Sequence, residues 1–159
     1  MSRLATIRTA IAATLAAVPE IGREHENERY TREDSKFKAL YQHELANGDK
    51  QLRGWWLRRT ATEERSINIA RTLCVDTWTV RGYMALHDDG ATELAFDDLV
   101  EAFRDAVRAD PTFGGLCQLN PLDDSDGTDG VQVVDVGPVN FCGVLCHSAV
   151  LSLRTWSYL

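Results

Sequence analysis

The apolar residues among the first eighteen positions recur with the spacing of an α-helix. Five of them lie three or four residues apart, which places them on one side of a helix: Leu4, Ile7, Ile11, Leu15 and Val18. Ser2 is a favoured N-cap residue and Pro19 cannot continue a helix. The pattern therefore predicts a helix over residues 3–18 whose apolar side packs on a partner surface.

A second amphipathic pattern follows the turn-forming sequence HDDG at residues 87–90. Thr92 is a plausible cap, and Asp110-Pro111 ends the pattern. The side predicted to face the core consists of Leu94, Phe96, Leu99, Val100, Phe103 and Val107. Acidic residues and arginines fill the opposite side, as is typical of a helix packed on a sheet.

Four stretches have the alternation or composition of β-strands: residues 54–62, 72–86, 131–136 and 141–158. The pattern also predicts a short extended piece at residues 21–25 and a short helix after Asp34 or Ser35. Residues 63–71 are expected to form a turn or loop. Residues 114–130 are expected to form a longer acidic loop.

The last predicted strand is apolar on both faces. One face carries Val144, Val150, Trp156 and Tyr158, and the other carries Leu145, Ala149, Leu151 and Leu153. Two main helices can cover only one face of a sheet, so a neighbouring subunit is expected to cover part of the other. We predict a single domain over residues 1–159 of the α+β class, a mostly antiparallel β-sheet with two main helices packed on one face.

Charge argues against a general nucleic-acid binder. The 159 residues carry a net charge of −7, the wrong sign for binding phosphates by counterion release. Residues 71–159 hold fourteen acidic and five basic residues, a balance of −9. No apolar run approaches a membrane span, and the four cysteines do not form a dense disulfide framework, so a reduced cytosolic chain without membrane contact is expected.

The candidate residues for metal binding and hydrolysis do not have the spacing that such sites require. Cys142, Cys146 and His147 would lie too far apart on an extended strand to share one zinc ion. The acidic loop has alternate oxygen ligands but breaks the register of a calcium loop. The sequence has no nucleophile elbow, phosphate-binding loop or zinc-protease motif, and its four histidines are scattered. We therefore predict no catalytic residue, metal or cofactor.

The remaining functional candidates are aromatic and basic residues, of the kinds enriched in interface hot spots. They are Trp55, Trp56, Arg58, Arg59, Trp156 and Tyr158, the candidates for a subunit or partner interface. The alternative, core tryptophans beside solvated arginines, stays open. Trp55 and Trp56 must point to opposite sides of a strand, so one of them could be core while the other needs cover.

Four segments together resemble the tail terminator, or tail completion, proteins of long-tailed bacteriophages and prophages. They are the alanine-rich helix (residues 4–18), WTVRGYM (78–84), ELAFDDLVEAF (93–103) and LRTWSY (153–158). The resemblance covers most of the chain, and residues 26–53 are its least typical part.

The resemblance implies a structural virion protein made in the host cytoplasm. Such proteins form a hexameric ring on the tail tube, stop its polymerisation and present the surface to which head-tail connector proteins attach. Genomic DNA passes through the ring without specific binding, and Asp123, Asp124, Asp126 and Asp129 are candidates to face that lumen. The alternatives are another head-tail connector or neck protein and a small hydrolase using His147 with acidic loop residues.

Overall fold

A computed structural model describes residues 1–121 and 129–159. From N- to C-terminus its elements are α1 (Arg3–Ala16), β1 (Arg23–His25), α2 (Asp34–Leu40), β2 (Gln42–Glu44), β3 (Lys50–Asn68), β4 (Arg71–Ala85), a 3-10 helix (Asp88–Gly90), α3 (Thr92–Ala109), β5 (Gln132–Phe141) and β6 (Val144–Tyr158). None of the described helices is long and apolar enough to cross a membrane.

The six strands form a mixed sheet that is mostly antiparallel. Its order is β1-β3-β4-β6-β5, with β2 also paired to β3. Only β1 runs parallel to its neighbour; the other pairs are antiparallel. The predicted α+β class is therefore confirmed, and β4 and β6 lie inside the sheet, where the sequence is most apolar.

Two helices, α1 and α3, pack on the same face of the sheet, as the sequence predicts. Ser2 caps α1 by accepting a hydrogen bond from the amide of Ala5 (3.2 Å). The core on this face joins residues of both helices to strand residues, among them Ile7, Ile11, Leu15, Phe96, Phe103, Trp55, Trp78, Val80 and Leu151. Alternate positions of β3, β4 and β6 thus meet the two helices.

One residue of the predicted α3 stripe does not face the core. Leu94 is 68% exposed, whereas the other five residues of that stripe are buried. At about 100° per residue, Leu94 lies roughly 160° around the helix from Phe96. Its inclusion in the core side was wrong, and it lies on the surface beside the edge of the sheet.

The opposite face of the sheet is covered at one end by α2. Tyr41, at the end of this helix, is fully buried and forms a second cluster with Leu52, Trp56, Tyr83 and Cys146. Phe37 of α2 packs against this cluster. Residues 34–41 therefore give the second face its own apolar cover, where the sequence pattern predicts only a short helix.

The strand lengths differ from prediction at four places. β3 begins at Lys50, four residues before the predicted start. Residues 63–68 continue β3 instead of forming a loop, because their backbone pairs with β4 although their side chains show no apolar alternation. β5 extends to Phe141. The predicted last strand is divided by a two-residue turn at Cys142 and Gly143, both with positive φ, as primed hairpin turns require.

Gly82 illustrates how closely the core is packed. A Cβ atom at this position would lie 2.3 Å from Cζ3 of Trp55. We expect Gly82→Ala to lower the free energy of unfolding by about 1–3 kcal/mol through overpacking, measured by urea unfolding. Gly137→Ala is the matched control, because a Cβ there meets nothing within 4 Å; equal losses in both variants would contradict the prediction.

Candidate functional site

The three tryptophans predicted to face a partner are buried within the single chain. Trp55 is fully buried, donates its Nε1 hydrogen to the carbonyl of Ile21 (2.8 Å) and stacks on Phe96. Trp56 and Trp156 are 6% and 5% exposed. The expected tryptophan-rich interface is therefore corrected: α2 covers the face that carries Trp56, a cover that the sequence did not reveal.

The other candidates of that set keep exposed atoms but have partners in the chain. Arg58 forms an ion pair with Glu28, and its guanidinium lies 5.3 Å from the ring centre of Trp56. Arg59 lies 3.9 Å from a carboxylate oxygen of Asp76. Tyr158 is 37% exposed, with the guanidinium of Arg71 above its ring. These residues do not form one continuous site.

The candidate lumen-facing residues fall mainly outside the described part of the chain. Asp123, Asp124 and Asp126 lie within residues 122–128, which are not described. Asp129 is exposed, and its carbonyl accepts a hydrogen bond from the side-chain amide of Gln132 (3.1 Å). The lumen role of this set stays a prediction.

Several of the exposed apolar residues are aliphatic side chains that the sequence did not predict to form an interaction surface. One group lies at the end of the β3–β4 hairpin, residues 65–71, here called the tip. Ile69 is fully exposed and Ile67 is 43% exposed. The Asn68 side chain accepts a hydrogen bond from the amide of Ala70 (2.9 Å), which fixes the turn. The sequence signal was the run RSINIAR, two isoleucines between arginines.

A second group lies between the start of α3 and strand β5, in a depression here called the groove. It comprises two adjoining cavities of about 260 and 290 Å³. Apolar residues lining it are Leu86, Leu94, Phe96, Val136 and Pro138, and its acidic residues are Asp88, Glu93 and Asp97. His147 borders both cavities and stacks on Phe96.

The groove and the tip carry opposite charge. The described residues lining the groove include three carboxylates and no lysine or arginine. The tip carries Arg65 and Arg71 and no acidic residue. Arg65 also pairs with Glu63, just before the tip, at 3.0 Å. Both surfaces thus combine exposed apolar side chains with charge of one sign.

The cysteines and His147 occupy separate environments. Cys142 lies in the β5–β6 turn, while Cys146 and His147 are neighbours on β6 and point to opposite faces. The Nε2 atom of His147 lies 2.8 Å from the hydroxyl oxygen of Thr92. Within residues 1–121 and 129–159, no group of three or more His, Cys, Asp or Glu side chains could hold a metal ion.

A buried polar cluster anchors the start of α1 to the sheet. Asp76 is fully buried and pairs with Arg3 at 2.8 Å. It also accepts a hydrogen bond from the Thr62 hydroxyl (2.6 Å). The second guanidinium nitrogen of Arg3 lies 3.0 Å from the sulfur of Cys74. These partners fill the hydrogen-bonding positions of the buried Asp76 carboxylate, as is typical of a structural ion pair.

Alkaline pH should destabilise the fold through two buried thiols. Burial raises the pKa of Cys117 and of Cys146 to about 11, because desolvation disfavours the thiolate. Above pH 9 the unfolded chain releases these protons while the folded chain still holds them. The free energy of unfolding is thus unaffected by these thiols below about pH 9. It falls as the pH approaches 11, by on the order of 2 kcal/mol per thiol.

Urea unfolding between pH 7 and pH 11 measures this effect, with a Cys117→Ala/Cys146→Ala variant as control. Burial also raises the pKa of Tyr41 to about 12, which acts in the same direction above pH 10. Because Tyr41 is still present, the double variant should also lose stability at alkaline pH, but by less than the natural chain. Identical pH profiles of the variant and the natural chain would contradict the role of the two thiols.

A scan against models of known protein families and a search of curated proteins find no match to this chain.

Proposed function

We propose that this protein is a tail terminator: it closes into a ring on the end of a phage tail tube, stops the tube from growing and forms the joint to the head. The proposal rests on where the exposed aliphatic side chains of the tip and the groove lie on the single chain. The tip and the groove lie at opposite ends of β4. Exposed apolar surface of this kind is typical of interaction sites.

The position of the two surfaces favours a head-to-tail contact between copies. A heterologous contact joins different patches of identical subunits, and it closes into a ring when the rotation between copies allows. One chain cannot bring its own tip to its own groove, because they are separated by the length of β4. The resemblance to tail terminators implies six copies in the ring.

An acidic surface suits a channel through which DNA passes. The chain has a net charge of −7, and α3 carries a row of exposed carboxylates. Like charge lowers the affinity for phosphates. Replacing Asp123, Asp124, Asp126 and Asp129 together with Asn should leave assembly intact and slow DNA delivery by phage particles; unchanged delivery would contradict the lumen role of these residues.

Tails assembled in cells that lack the protein test the proposal. We expect tubes of uncontrolled length, or tubes that never join heads, seen by electron microscopy. Normal tails joined to heads would contradict the proposal.

A pull-down distinguishes the terminator from a different head-tail connector of the same region. A terminator binds tail-tube protein directly, whereas a head-side connector is captured by head proteins and not by tubes. The hydrolase alternative predicts turnover of a substrate that is lost on His147→Ala, with no effect on tail length.

A further inference from the structure

We propose that copies of this chain assemble by inserting the tip of one copy into the groove of the next. The inference rests on the self-association in the proposed function and names the contact that produces it.

The tip is an apolar projection. Residues 65–71 close a hairpin whose strands pair as far as Asn68 and Arg71, with one register shift between Ser66 and Asn68, and the Asn68 side chain fixes the turn. Isoleucine is a poor turn residue, yet Ile69 stands at the turn with its side chain fully exposed. The hairpin thus presents an apolar side chain on a stiff support, which costs little entropy to bury.

The groove offers an apolar receptor of suitable size. Its two cavities of about 260 and 290 Å³ adjoin at Leu86, Glu93 and His147. Leu94 lines the first cavity and is 68% exposed, and Val136 lines the second and is 48% exposed. An inserted tip would bury apolar surface of its own isoleucines and of the groove together.

Charge complementarity favours a second copy as the occupant, although Arg65 also pairs with Glu63 and Arg71 lies over the ring of Tyr158 within the same chain. The tip carries Arg65 and Arg71 on either side of its isoleucines, and the groove carries Asp88, Glu93 and Asp97 around its apolar centre. An apolar centre with a charged rim is the usual anatomy of an interface. Opposite charges at the rim also orient the two copies during association.

The contact is necessarily between copies. The tip ends at Arg71, the first residue of β4, and Leu86 of the groove follows its last residue, Ala85. Along a strand of fifteen residues this is a separation of roughly 45–50 Å. Each copy therefore presents one tip and one groove at distant corners, and successive copies join head to tail.

Pairing between copies through the outer edge of β5 is disfavoured as an alternative contact. β5 is the outer strand on one side. It carries a register shift between Val133 and Asp135, and Pro138 lacks an amide hydrogen. Bulges and prolines are features by which edge strands avoid pairing with other chains.

Two single variants and their mixture test the inference. Ile69→Asp disables the tip, and Leu94→Asp disables the groove; both side chains are exposed, so both variants should fold with unchanged thermal unfolding. Each variant alone should self-associate at least about 30-fold more weakly than the natural chain, the loss typical of an interface hot spot. Sedimentation of the purified chain, free and bound to tail tubes, measures the assembly state. Leu119→Asp, also at an exposed leucine, is the matched control and should assemble normally.

The mixture of the two variants gives the decisive outcome. The intact tip of the Leu94→Asp copy fits the intact groove of the Ile69→Asp copy, so the mixture should form heterodimers and nothing larger. Normal assembly of either variant alone, or no association in the mixture while the natural chain assembles, would overturn the tip–groove contact. A natural chain that stays monomeric even on tubes would overturn it together with the ring.

The proposed function could be wrong even if the tip–groove contact is correct. Rings that form through the tip and the groove but leave tube growth unchanged would support this contact and contradict the role as terminator.

Discussion

Replacing Asp76 with alanine should lower the free energy of unfolding by about 3–5 kcal/mol, the usual cost of removing one partner of a buried ion pair. The carboxylate is fully buried, and its loss leaves the Arg3 guanidinium without its 2.8 Å partner. The Thr62 hydroxyl loses its acceptor as well. Urea unfolding at neutral pH measures the change.

Two controls separate the ion pair from a general effect of removing charge. Asp98→Ala removes an exposed carboxylate from α3 and should change stability by less than about 0.5 kcal/mol. Combining Asp76→Leu with Arg3→Met removes both charges and should recover much of the loss. If Asp76→Ala were as stable as Asp98→Ala, Asp76 would not hold α1 to the sheet.

Replacing Trp55 with alanine should cost about 3–5 kcal/mol, the range for deleting a large aromatic side chain from a core. The ring is fully buried, stacks on Phe96 of α3 and lies against Gly82 of β4. Its removal leaves a cavity between the sheet and the helix. The unfolding midpoint in urea measures the loss.

A conservative variant tests which part of the tryptophan matters. Trp55→Phe keeps most of the ring but leaves the carbonyl of Ile21 without its 2.8 Å hydrogen bond, so it should cost about 1–3 kcal/mol. Alanine and phenylalanine variants of equal stability would mean that packing of the ring contributes little. Neither variant should change self-association, since Trp55 does not reach the surface.

The parts of the fold with strong periodicity could be predicted from the sequence. The helical spacing of residues 3–18, the stripe of α3 and the long apolar β4 each lie within one continuous stretch, so local patterning suffices. The outer half of β3 could not be predicted this way. Its residues EERSIN are exposed on nearly all sides and become a strand because β4 supplies backbone partners.

The candidate surfaces depended on tertiary contacts that no local pattern contains. One of Trp55 and Trp56 was expected to need cover from a partner; α3 covers Trp55, and α2 with Tyr41 covers Trp56 within the same chain. The groove arises only where the start of α3 meets β5, some forty residues later in the sequence. Leu94 could have been found from the sequence, since its angular position on the helix already separates it from the core stripe.

The growth of tail tubes in the presence of the purified protein tests whether this chain terminates them. Electron microscopy of tubes polymerised from tail-tube protein measures their length and the density at their ends. We expect short tubes with a ring of this protein at one end, and continued growth when Ile69→Asp replaces the natural chain. Tubes that grow to the same length with and without the protein, and carry no ring, would contradict it.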